Sequence, residues 1–456
     1  NIKNIKIYGA FFMLNVNRNR NNNRKEKLLK MKRKIKIFSR KKKKYIPKII
    51  IEEIKEKIKK NSEMLNFLLE KNFYSNDNIK NEIITIEIPE IFSLIKKPDK
   101  VFEILQKIIN AFKKGVKEIE FDYSKNIELE IGAVSLKNVI CLDILRQGVT
   151  IGGNFPGCND LDDDGAIKEK YNQSFELLVF SGLFKKLRMN EKDFIKSQNY
   201  YKPLTLPLIG GGKTPIMISC KTFPLGKIEH EITKYFNKAL QNINKELNEN
   251  GERLFDKIIG EVIANCQEHS GEFNQYFCSG HYSKINANIG NYQLTIFNFG
   301  QSIAEGFKNS IIPPKVKERM DELLNKHIGY FKIFSNWDEN ALLTLFSLQD
   351  RVSRLYDDRK TRGTGTVRFL EAFQNVGGCS CEYCSTMTII SGNSQIIINN
   401  DDEICKIENK QISFNKEKSL DYKPDERYVK KLERYFPGTI ISLNIFLDRN
   451  WLEDKN

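Results

Sequence analysis

Apolar residues alternate with polar ones in IITIEIPEI (83–91) and then return at three- and four-residue steps in PDKVFEILQKIINAFKKG (98–115). The first period predicts a strand and the second an amphipathic helix. The switch repeats after that: VKEIEFDYS (116–124) predicts a strand, GAVSLKNVICLDILRQ (132–147) a helix and GVTIGGN (148–154) a strand, with a leading helix over 47–75. Alternation of this kind predicts an α/β unit whose helices cover a sheet. A further helix is expected over 166–187. The polar, Pro-containing stretch 190–215 is the expected boundary before a second unit, which opens with the strand TPIMISC (214–220).

In that second unit LFDKIIGEVIANCQEHSG (254–271) predicts a helix with Glu261, Asn265 and His269 four residues apart. Steps of four rotate only about 40° round a helix, so the three share one stripe. Such a stripe serves either as a solvated face or as chemistry on a phosphoester. In the second case the Glu takes a proton from water or a hydroxyl, and the Asn oxygen ligates Mg²⁺ beside phosphates. QLTIFNFGQSI (293–303) then predicts a strand entering a tight turn at Asn298, Phe299 and Gly300, where glycine lets the backbone approach a flat ligand. Farther on, Arg362, Gly363, Thr364, Gly365 and Thr366 open the helix VRFLEAF (367–373). Glycines ahead of a helix leave its first N–H groups free for phosphate. Pro437, Gly438 and Thr439 precede the strand ISLNIFL (441–447).

Taken in this order, the motifs resemble those of the GHKL, or Bergerat-fold, ATPases: type II topoisomerases, ninety-kilodalton heat-shock chaperones, histidine kinases and MutL-like proteins. Glu261 to Asn265, with His269 and Gly271, resembles the N-box in the style of the anti-sigma-factor serine kinases. Asn298 to Ile303 resembles the first glycine box and Arg362 to Thr366 the second, so the likeness covers about residues 225–450. It implies an α/β (α+β) chain with a Bergerat-type sandwich on a mixed sheet over 225–456 and a lid at about 304–361. It also implies ATP and Mg²⁺ as cofactors, with Glu261 as general base and Asn265 as the metal ligand. Asn298, Gly300 and Ile303 would surround the base, and Arg362, Gly363, Thr364, Gly365 and Thr366 the phosphates. His269 would orient a neighbour or touch the nucleotide, and Lys360 would stand beside the γ-phosphate with Arg362. Two positions depart from the pattern: the adenine-reading Asp is Asn298, and the second glycine of the first box is Ser302. A carboxamide oxygen accepts without charge assistance, which leaves the choice of purine open.

The first unit, 47–189, is similar in pattern to STAS domains, the fold of anti-sigma-factor antagonists; a purely structural α/β unit fits the same pattern. The serine that such antagonists present would fall near Ile131, Gly132 and Ala133, with Ser124 and Ser135 as displaced candidates. The resemblance therefore implies an ATP-hydrolysing conformational switch in intracellular regulation or defence. The alternatives are a partner-switching protein serine kinase or a nucleotide binder without turnover. Expected partners are ATP and a further protein, a homodimer being among the assemblies the reading admits.

Charge changes the picture at one end only. Residues 1–60 carry 22 Lys and Arg against 4 Glu, a net of +18, while the whole chain of 456 residues is +16, so the remainder is slightly acidic at −2. The basic character belongs to the tail, 1–46, which is too poor in regularly spaced apolar residues to fold alone. Such a tail either contacts polyanions non-specifically or is a solvated extension, and Met13 and Met31 stand as alternative starts. IYGAFFML (7–14) is too short to span a membrane and lacks the flanks of a signal peptide, so the chain is expected in the cytoplasm without membrane contact. Nine cysteines, an odd number, fit reduced thiols; Cys379, Cys381 and Cys384 cluster, with Cys405 as a fourth zinc ligand in the alternative reading. Asp160, Asp162 and Asp164 alternate ahead of Gly165 like half an EF-hand loop, yet position twelve is Tyr171, so a solvated acidic turn is the expectation. Gly210 to Thr214 lacks a P-loop's first glycine, which is Pro207, and His230 lies too close to Asn265 to serve as a histidine-kinase acceptor.

Overall fold

The computed structural model describes residues 62–160, 168–181, 204–206, 228–270, 276–328, 338–350, 352, 365–377 and 383–454. The first half carries α1 (Glu63–Glu70), β1 (Ile83–Glu87), β2 (Ile91–Phe92), α2 (Pro98–Lys113), β3 (Glu118–Asp122), β4 (Glu128–Leu129), α3 (Ile131–Arg146), β5 (Thr150–Gly153) and α4 (Asn172–Phe180). The second half carries β6 (Leu204–Leu206), α5 (Ile228–Gln241), α6 (Glu249–His269), β7 (Phe277–Lys284), β8 (Ile289–Phe299), α7 (Ile303–Asn309) and α8 (Pro314–Ile328). It closes with α9 (Glu339–Ser347), α10 (Gly365–Val376), β9 (Thr386–Asn399), β10 (Val429–Asp448) and α11 (Arg449–Asp454).

Local chemistry accounts for several boundaries. The strand expected over 83–91 splits into β1 and β2 around Pro89, which has no N–H to donate to a ladder. Pro98 opens α2 in its first turn, Asp99 follows it there, and Lys113 closes the last turn, each on the side the helix dipole favours. Of the expected leading helix only α1 lies among the described residues, and of the helix expected over 166–187 the described part is a short 3₁₀ turn, Glu169–Tyr171, followed by α4.

The molecule is a layered α/β structure. β1, β3 and β5 form a parallel sheet in the order β1-β3-β5, and β2 pairs with β4 in parallel beside it. The second half is built on five strands in the order β6-β7-β8-β10-β9, and every pairing is antiparallel. A mixed sheet is the expectation for this half; among the described residues the mixture of parallel and antiparallel pairing is divided between the two sheets instead.

Both faces of the five-stranded sheet are covered. Tyr292, Leu294 and Ile296 of β8 join a core with Ile259 and Ile263 of α6 and Leu370 and Phe373 of α10. The alternate residues Phe297 and Phe299, with Phe436 and Ile440 of β10, belong to the core of the first half. Phe102 of α2 stacks on Phe436 at 5.4 Å between ring centroids. α3 lies between the layers, and every residue from Ile131 to Ile144 is buried, as a helix with neighbours on all sides requires. Its first turn rests on β8 because residue 132 is glycine: a Cβ there would sit 2.5 Å from Thr295 Oγ1 and 2.9 Å from a Leu94 methyl.

His281 of β7 lies opposite Gln293 and is 2% exposed, and burial pushes its imidazole down from 6.5 to about 4. A depressed pKa gives stability that is complete above the unfolded value and lost as pH falls through the folded one. The unfolded chain takes up a proton between pH 6.5 and about 4 that the folded chain refuses. Stability should drop by about 3 kcal/mol over that interval, and His281→Gln should flatten the drop. Denaturant titrations of both proteins at several pH values check this; equal slopes would mean that His281 titrates normally. Among the described residues no helix is long and apolar enough to cross a membrane.

Candidate functional site

α6 begins under an Asn248 cap whose side chain accepts from Gly251 N at 2.8 Å, with Glu249 and Glu252 in the first turn. Ile259, Val262, Ile263 and Cys266 turn to the sheet and are buried. The other side carries the polar stripe: Glu261 is half-buried and Asn265 exposed. His269 is the last helical residue, and its side chain lies outside the described residues.

The C-terminus of α6 meets the end of β8. Asn298 is fully buried, and in the amide orientation that satisfies both ends its oxygen accepts from Ser270 N at 3.3 Å while its nitrogen donates to Thr439 O at 3.3 Å. Thr439 is its register partner on β10. The preceding β10 residue must be glycine, since a Cβ on Gly438 (φ +149°) would fall 2.0 Å from Asn298 O. Gly300, at φ +155°, donates its N–H to Pro437 O at 3.1 Å. Ile303 opens α7 and donates its N–H to Ser391 Oγ at 2.8 Å, and Ser391 is in turn 2.8 Å from Thr439 Oγ1. One run of hydrogen bonds thus ties the first glycine segment to β10 and β9. Ser302, where the resemblance implies glycine, caps α7 in a capping box with Glu305. The Ser-to-Glu spacing over Ser302, Ile303, Ala304 and Glu305 is a capping-box signal that the glycine-box reading of Ser302 passed over.

The second glycine segment enters at α10. Arg362, Gly363 and Thr364 lie outside the described residues, as does Lys360; Gly365 and Thr366 form the first turn of the helix, and their side chains are likewise not described. Val367, Leu370 and Phe373 are buried and hold α10 beneath the sheet. Arg368 points the other way and stands 3.9 Å from Glu261, its Nη1 on Oε1, with 45% and 32% of the two side chains exposed. The structure therefore brings the α6 stripe beside the first turn of α10, and the end of α6 beside Asn298. Sequence reasoning missed Arg368, whose one signal is its place a turn after the glycines.

Within the interval expected for a lid, α7, α8 and α9 share a small core of Phe307, Met320, Leu323, Leu343 and Phe346. α9 is also tied to the sheet: Ala341 and Leu345 join the core with β9, and Asn340 bonds Asn393 at 2.9 Å.

Other expectations resolve locally. Asp160 is engaged by Lys168, by Lys170 at 2.9 Å and by the Tyr171 hydroxyl at 3.0 Å; these hydrogen bonds hold its carboxyl well below the usual carboxylate range, while Asp162 and Asp164 lie outside the described residues. Cys379 and Cys381 also lie outside them. Burial raises the Cys384 thiol and pushes the Cys405 thiol up to about 12. Among the described residues no three His, Cys, Asp or Glu are grouped to hold a metal. His230 pairs with Asp256 at 3.3 Å on the surface. Compared with protein-family models, curated proteins and solved structures, the chain matches none.

Proposed function

We propose that the chain is a Mg²⁺-dependent ATP-binding protein that works as an ATP-hydrolysing conformational switch, with a Bergerat-type second half and a STAS-like first half. The observation that carries the reading is the approach of Arg368 to Glu261 at 3.9 Å. It puts side by side two motifs about a hundred residues apart in sequence, a carboxylate stripe and a glycine-led helix start, and that proximity supports a reading in phosphate chemistry.

In this reading Glu261 takes a proton from water as the water oxygen bonds to the γ-phosphorus. The bond from that phosphorus to the bridging oxygen breaks, leaving ADP and phosphate. Asn265 is an oxygen donor exposed on the same stripe, a fit for a hard cation, and would hold Mg²⁺, which neutralises phosphate charge when bound. The first turn of α10 offers N–H groups to phosphates, and Asn298 meets the base with the hydrogen-bonding capacity left over from Ser270 and Thr439.

Asn298→Asp should favour ATP over GTP, because a carboxylate restores a charge-assisted acceptor for the adenine amine. It should also lower stability by about 1–3 kcal/mol, since a carboxylate has no hydrogen to donate to Thr439 O. Calorimetric titrations and thermal melts read both effects; unchanged purine discrimination would show that residue 298 does not face the base.

The burial of Ser124 and Ser135 favours the switch over transfer to either of these candidate serines. Ser124 and Ser135 are 7% and 9% exposed, and the start of α3 is packed against the sheet face opposite α6. Incubation with γ-labelled ATP and Mg²⁺ tests the choice. Free phosphate is expected; labelled protein would support the kinase instead, and retention of intact nucleotide would support a binder.

A further inference from the structure

We propose that Arg368 is a positioning residue with two stations: it rests on Glu261 when the site is empty and passes to the phosphates when a nucleoside triphosphate arrives, uncovering the base. This rests on the function proposed above and assigns a role to a residue outside the glycine motifs.

The resting station is the ion pair itself. At 3.9 Å, with both side chains partly exposed, it is a loose contact, single-pronged and open to screening. A base in that state is occupied by a cation and poorly placed to take a proton from water.

The second station follows from helix geometry. Arg368 is the fourth residue of α10, and long side chains on a helix lean back toward its N-terminus, so a guanidinium that leaves Glu261 is within reach of the turn that Gly365 and Thr366 open. The first N–H groups of a helix have no partner within it and are the ones a phosphate would meet. A triphosphate offers several negative charges and oxygen pairs that match the guanidinium fork, whereas Glu261 offers one charge at long range. Competition favours the phosphates, and Glu261 is left facing solvent. Arrival of the substrate and exposure of the base thus become one event, with the arginine as the moving part.

The idea separates from a merely structural ion pair by the sign of a coupling. In Glu261→Gln the arginine has no resting partner to leave, so ATP should bind about twofold to fivefold tighter than to the parent. In Arg368→Ala ATP affinity should fall about tenfold or more, with AMP affinity changed little, because one charge-assisted phosphate contact is lost. The gain from Glu261→Gln should vanish in the double variant, and Arg368→Lys should recover most of the ATP affinity. Calorimetry with ATP and AMP on the full chain and these four variants reads all of this, with a thermal melt to confirm that each is folded. Equal ATP affinity for Glu261→Gln and the double variant would overturn the proposal while leaving ATP binding intact. Failure of the parent itself to bind ATP would overturn the functional reading and this inference with it.

Discussion

Glu261→Gln should lower turnover by roughly a hundredfold or more while Mg-ATP binds at least as tightly as in the parent. The substitution keeps the shape of the side chain and removes its proton acceptor, and with only 32% of that side chain exposed beside α10 the surroundings have little reason to rearrange. Asn265→Ala should act differently. It should weaken binding only when Mg²⁺ is present, because the exposed carboxamide one turn along would be the protein's ligand to that ion. Single-turnover assays and titrations with and without Mg²⁺ distinguish a chemical defect from a binding defect. If both variants bind and turn over like the parent, the stripe on α6 is a solvated face, and the functional reading falls with it.

β1, α2, β3 and β5 were legible from their period, and α3 from a largely apolar run between turn residues although it is buried on all sides. All five fall where the sequence predicts them. α6 and the end of β8 were legible from their period too. The strands β7 and β9 were not, and their residues explain why: FCSGHYSK and TMTIISGNSQIIIN carry hydroxyl and amide side chains at positions that bury against another layer. Thr388 and Gln395 of β9 bond one another at 3.1 Å, and Gln395 also reaches Leu94 O and Ile95 O in the first half. A polar residue in a sequence reads as solvent-facing, and only the partner layer shows that it is not. The lid interval was opaque in the opposite sense. The resemblance implies a lid there, yet α9 presents Ala341 and Leu345 to the sheet. At the site, glycine spacing pointed to the segments but could not place Arg368, since the residue that gives it meaning, Glu261, is distant in sequence.

The same polar layer decides whether the first half is a detachable partner or part of one folding unit, and Glu130 is the residue on which to ask. It stands just before α3, 5% exposed, with burial raising its pKa, and accepts from Ser93 Oγ at 2.7 Å, Leu94 N at 2.6 Å and Ile95 N at 3.1 Å. The Ser442 hydroxyl of β10 is its fourth donor and also lies 2.7 Å from Thr295 Oγ1 of β8. Beside it the Ile131 N–H donates to Gln293 Oε1 at 3.1 Å. One carboxylate therefore satisfies donors on both sides of the layer, and removing it strands them in a place water does not reach. Glu130→Ala should destabilise the protein by about 3–5 kcal/mol. The loss should appear as a lower midpoint of a single unfolding transition, because Phe297, Phe299 and Phe436 share a core with α2 and α3. A denaturant titration followed by both near- and far-ultraviolet circular dichroism reads it. Two separated transitions, with only the first moved by Glu130→Ala, would show instead that the halves fold independently and that the network merely docks them.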